Sequence, residues 1–76
     1  MTTTCLIIDD DAGARSILRS LIKLDPRLEL VGEEDGSTKG AMHITKSKPE
    51  LIFLDLQMPG LDGYEMLEVL EYMPRI

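Results

Sequence analysis

Apolar residues fall in two unbroken runs, Thr4-Cys5-Leu6-Ile7-Ile8 and Leu51-Ile52-Phe53-Leu54, and each run ends abruptly in acid, at Asp9-Asp10-Asp11 and at Asp55. Short β-branched and apolar runs without polar alternation predict strands covered on both faces. Between them the period changes. Ala14, Ile17, Leu18, Leu21, Ile22 and Leu24 recur at helical spacing with Arg15, Arg19 and Lys23 on other faces, so 13–24 reads as an amphipathic helix, stopped by Asp25-Pro26. A weaker strand is expected over Leu28 to Gly32. Ser37 or Thr38 can cap a second helix reaching about Lys46, with Ala41, Met42 and Ile44 as its apolar positions. Gly40 in its first turn leaves that helix poorly specified. Asp62 can cap a third helix through Tyr64, Leu67, Leu70 and Glu71, ended by Met73-Pro74.

The order is therefore βαβαβα, an α/β pattern that calls for a parallel sheet with right-handed crossovers. In the doubly wound order 2-1-3, strands one and three are neighbours, and the chain leaves them toward opposite faces at a switch point where ligands bind. Both acid-tipped strands end there, so that order would bring Asp9, Asp10 and Asp55 together.

Composition narrows the partners. The chain has 76 residues, enough for one small domain, and 43% are hydrophobic. A chain of this size buries only roughly 60% of the surface its unfolded form exposes. Eight basic against 14 acidic residues give a net charge of −6, which disfavours direct contact with nucleic acid or an anionic membrane. Cys5 is the single cysteine, so no internal disulfide is possible, and no apolar run approaches the ~18 residues of a membrane span. The start, Met-Thr-Thr-Thr-Cys, lacks the basic and apolar regions of a signal peptide. A cytoplasmic protein is expected. Cys5 reads as a small core residue, His43 as a surface or half-buried helix residue, and Glu33-Glu34-Asp35 as a solvated loop adding negative potential.

Three carboxylates at the exit of two dry strands repel one another, and a divalent cation removes the conflict. Mg²⁺ suits such a site because it takes oxygen ligands, keeps several waters and needs only one or two carboxylates. The same charge would favour an incoming phosphoryl group, with one carboxylate left to attack phosphorus. Alternatively, Asp10 and Asp11 cap the first helix and Asp9 merely ends a strand.

The segment Leu51-Ile52-Phe53-Leu54-Asp55-Leu56-Gln57-Met58-Pro59-Gly60-Leu61-Asp62-Gly63 resembles the phosphoacceptor segment of response-regulator receiver domains in bacterial two-component signalling. Leu6-Ile7-Ile8-Asp9-Asp10 matches their first strand and acid pair. The resemblance covers the whole chain, 1–76, as the first three βα units of a flavodoxin-like fold normally built from five. It implies that Asp55 accepts phosphate from a histidine kinase or phosphotransfer protein, and that Mg²⁺ is held by Asp9, Asp10, Asp55 and the backbone carbonyl of Gln57. Pro59 and Gly63 look like the residues that shape the loop and its exit. The chain would assist its own phosphorylation without being an enzyme. Ala14-Arg15 is similar to receivers that precede LytTR-type DNA-binding domains, which implies a parent acting in transcription regulation.

Receivers of this family also carry a Ser or Thr on a fourth strand and a Lys on a fifth, and these 76 residues contain neither position. Lys46 and Lys48 fall before the third strand, at the wrong edge to substitute. Phosphorylation is thus expected to be slow or unproductive, with the reporting switch absent. The third strand, 51–54, would be an unpaired apolar edge, and such edges recruit another strand, so self-association as a dimer is expected. A non-signalling interaction fragment is the alternative function. A haloacid-dehalogenase-like phosphatase, suggested by Asp9-x-Asp11, lacks the Thr or Val its first motif needs and leaves 57–63 unexplained. An EF-hand starting at Asp9 would need its bidentate acid at Ser20.

Overall fold

The computed structural model describes residues 2–55; the expected third helix, Gln57, Pro59 and Gly63 lie outside them. The elements are β1 (Thr3–Ile8), α1 (Ala12–Lys23), β2 (Leu28–Glu34), α2 (Ser37–Ser47) and β3 (Leu51–Leu54). All pairings are parallel and the sheet order is β2-β1-β3, as expected of an α/β fold wound in both directions from its first strand.

β1 is central, and Cys5, Leu6, Ile7 and Ile8 are fully buried, which explains why its sequence does not alternate. Leu6 and Ile8 point to one face, against Ile44 of α2 and Ile52. Cys5 and Ile7 point to the other, against Ile22 of α1. The helices therefore cover opposite faces of the sheet.

Only part of the expected apolar stripe of α1 meets the sheet. Ile22 is buried and Leu18 packs beside it, whereas Ile17, Leu21 and Leu24 are 65%, 58% and 80% exposed. The row at 14, 18 and 22 faces inward because it repeats every fourth residue along one side. Arg15 and Arg19, expected on faces other than the apolar one, are half-buried and reach back to β2. On α2, Ala41 and Ile44 pack inward while Met42, expected among them, is 68% exposed.

Asp11 caps α1, its carboxylate accepting the Gly13 N–H at 2.9 Å. The N-cap of α2 is Gly36, one residue before the expected Ser37 or Thr38. Lys48 ends α2 in the left-handed region (φ 46°), its N–H bonded to the Ile44 carbonyl, and buried Pro49 leads into β3.

The register of β2 decides which of its acids faces which helix. Cys5 pairs with Leu30 but Leu6 pairs with Gly32, so Val31 is an extra residue, a bulge. A one-residue slip exchanges faces for everything after it. Leu28 and Leu30 lie on the α1 side; past the bulge, Glu33 takes that side and Glu34 the α2 side. Glu33 and Glu34 are thus the end of a strand rather than the solvated loop expected. Asp35, just beyond, carries an exposed i,i+4 pair with Lys39.

Candidate functional site

β1 and β3 run parallel in register, with Ile8 opposite Leu54, so both reach their carboxyl ends at one level. The Asp55 N–H donates to the Ile8 carbonyl at 2.9 Å, which fixes Asp55 beside the first residues after β1. On the other side the Asp9 N–H donates to the Glu34 carbonyl at 3.1 Å. The acids thus sit where the ladder hydrogen bonds run out, at the switch point.

Asp9, Asp10 and Asp55 each offer a carboxylate oxygen, and the three oxygens lie within 4.8 Å of one another. Asp9 and Asp55 are half-buried and Asp10 is exposed. Among the three consecutive acids, Asp11 is committed to the helix cap, while Asp9 and Asp10 join Asp55. Of the two acids read as possible helix caps, Asp11 takes that place and Asp10 does not. A cleft of 290 Å³ lined by Asp9, Leu18, Phe53, Leu54 and Asp55 opens beside the cluster.

The donor set fits a small hard cation. Oxygens around one Mg²⁺ lie about 2.1 Å from it, so opposite ligands are roughly 4.2 Å apart, close to the spread of these carboxylates. Two partly shielded acids and one wet one leave room for the waters Mg²⁺ retains.

Neighbouring acids are engaged by other partners, Glu33 in ion pairs and Glu34 in a hydrogen-bond contact. Glu33 receives Arg19 Nη1 at 2.6 Å and lies 3.7 Å from Arg15 Nε. Glu34 lies 2.8 Å from Nδ1 of His43, whose ring packs over Gly32, where a Cβ would collide with it. Neither partnership was legible in the sequence: the bulge decides which glutamate faces which helix. Cys5 lies in the core, and burial, reinforced by Glu29, pushes its thiol above the ordinary range. It is a packing residue.

The family model for the response regulator receiver domain matches residues 5–75. An uncharacterized response regulatory protein of Shewanella oneidensis is 38% identical over 68 residues, which covers 90% of this chain and 29% of that protein. The transcriptional regulatory protein BtsR of Escherichia coli is 38% identical over 66 residues, 87% of this chain and 28% of its own length. Among solved structures, the response regulator domain of Thermotoga maritima CheB superposes with a TM-score of 0.85 at 29% identity, over 90% of this chain and 51% of that one. The chain thus spans under a third of these curated relatives and about half of that structure. Joined to the acid cluster at the tips of β1 and β3, the match along nearly the whole length leads to one conclusion: the chain belongs to the response regulator receiver domain family of two-component signalling.

Proposed function

We propose that this chain is a phosphoacceptor module, taking a phosphoryl group from a histidine kinase or phosphotransfer protein onto Asp55 with Mg²⁺ bound at Asp9, Asp10 and Asp55. The observation that carries this reading is the convergence of the three carboxylates within 4.8 Å. Half-buried Asp55 is the nucleophile, its strand end held by the hydrogen bond to Ile8. A carboxylate oxygen of Asp55 forms the new bond to phosphorus as the P–N bond of the phosphohistidine breaks, and the leaving imidazole takes up a proton. Bound Mg²⁺ would neutralise the charge on the phosphoryl oxygens. Asp9 and Asp10 serve the cation, and Leu18, Phe53 and Leu54 wall the cleft with apolar surface.

Acetyl phosphate labelling in the presence of Mg²⁺, read by intact mass and peptide mapping, tests this. A single acid-stable, base-labile phosphoryl adduct on Asp55, lost in Asp55→Asn, is expected; labelling at Asp9 would favour a haloacid-dehalogenase-like chemistry instead.

A second reading concerns association. β3, like β2, is an outer strand of the sheet among the described residues, and unlike β2 it is wholly apolar. Strand addition there by a second copy would extend the sheet. Sedimentation at tens of micromolar should then give a dimer; a compact monomer contradicts it.

A further inference from the structure

We propose that Arg15 is a positioning residue for the cation-binding acids, acting through the backbone carbonyl of Asp9; this rests on the reading of Asp9, Asp10 and Asp55 as a metal site. Asp9 follows the last paired residue of β1, where a chain end is free to swing. Three bonds hold it. Its N–H is tied to Glu34 of β2, its carboxylate Oδ1 accepts the Asp11 N–H at 2.9 Å, and its carbonyl accepts Arg15 Nη1 at 2.6 Å. The Arg15 N–H also donates to the Asp11 carbonyl at 3.0 Å. One residue of α1 thus fixes the carbonyls on both sides of Asp10.

Arg15 is itself aimed. Its Nε faces Glu33 at 3.7 Å, and Glu33 is held by Arg19 at 2.6 Å. The side chains of Arg15 and Glu33 are only 20% and 22% exposed, so the contacts are partly shielded from water and salt. A guanidinium can present Nη1 to a carbonyl and Nε to a carboxylate at once, which the point charge of a lysine cannot do with fixed geometry. The bulge at Val31 completes the device by turning Glu33 toward α1. Because Oδ1 of Asp9 already accepts a backbone N–H, a swing of its peptide would move the carboxylate away from Asp10 and Asp55.

Residues that orient metal ligands typically change metal affinity by 10–100-fold when removed. Mg²⁺ titration of the chain followed by amide NMR shifts of residues 9–13, without phosphoryl donor, provides a readout separate from phosphorylation. Arg15→Ala is expected to weaken Mg²⁺ binding about tenfold and to speed hydrogen exchange at the Asp11 amide. Arg15→Lys should fall between it and the parent. Ile22→Ala, a cavity in the same helix distant from Asp9, should lower stability while leaving the affinity of the folded protein unchanged. Should Arg15→Ala not fold, Arg15→Lys and Glu33→Gln carry the test through the same titration. Affinity within twofold of the parent in Arg15→Ala, or in both Arg15→Lys and Glu33→Gln where Arg15→Ala does not fold, overturns the inference, as does an equal loss in Ile22→Ala. A parent chain that binds no Mg²⁺ overturns the metal-site reading and this inference with it.

Discussion

Gly40 of α2 rests directly on the side chain of Ile8, the last residue of β1 before the acids. A Cβ at position 40 would lie 2.6 Å from Ile8 Cδ1 and 3.0 Å from its Cγ2. Helix propensity alone favours alanine there by about 1 kcal/mol. Ile8 is fully buried and has nowhere to go, so the contact reverses the sign. Gly40→Ala is expected to destabilise the fold by ~1–3 kcal/mol, measured by urea denaturation. A stabilised variant would mean that α2 does not sit this close to β1.

The proposed binding of Mg²⁺ at Asp9, Asp10 and Asp55 would make stability depend on divalent cations. Without them, Asp10→Asn removes like-charge repulsion and should raise stability by roughly 0.5 kcal/mol. Binding to the folded state alone adds about 2.7 kcal/mol at a hundredfold excess over Kd, a gain the variant loses in part. The order of the two urea midpoints should therefore reverse between EDTA and saturating Mg²⁺. Parallel shifts in both proteins would separate Asp10 from the cation.

The turn between α1 and β2 has its own pH signature. Asp25 accepts from the Arg27 backbone N–H, from its Nε, both at 2.9 Å, and from its Nη2 at 2.8 Å. These bonds, the side-chain ones first, hold the Asp25 carboxyl down at about 2, below its ordinary value of 3.8. A depressed carboxylate stabilises the folded chain above the ordinary value, and that contribution is lost as pH falls through the folded one. Asp25→Asn should therefore be less stable than the parent at neutral pH, with the difference shrinking between pH 4 and about 2. A pH-independent difference would assign the effect to the turn's backbone alone.

Cys5 has no accessible surface and a thiol pushed up by burial. Iodoacetamide should label it only when the sheet opens, so the rate followed by mass spectrometry should track urea concentration. Fast labelling of the native chain would place β1 at a surface.

Much was legible in the residues themselves. The runs Thr4–Ile8 and Leu51–Leu54 read as buried strands because four or more apolar side chains in succession require cover on both faces; β1 has that placement, whereas in β3 Ile52 is buried and Leu51, Phe53 and Leu54 are half-buried among the described residues. Their acid tips announced the candidate site, since parallel strands in the order 2-1-3 end at one level. Local signals were less secure where a side chain's value lay in a distant contact. Gly40 weakens a helix viewed alone, yet its missing Cβ is what admits Ile8.

By itself, then, the sequence determined the order of the five described elements, the fold class and the acids at the strand tips, because periodicity and strand-end chemistry are local properties. Only the tertiary structure decided that Asp11 caps while Asp9 and Asp10 face Asp55, that Arg15 turns inward to the Asp9 carbonyl, and that Glu33 and Glu34 part to opposite faces. The physical reason is register: one extra residue at Val31 reverses the faces of β2, and no local pattern in the chain encodes a slip that exists only relative to its neighbour.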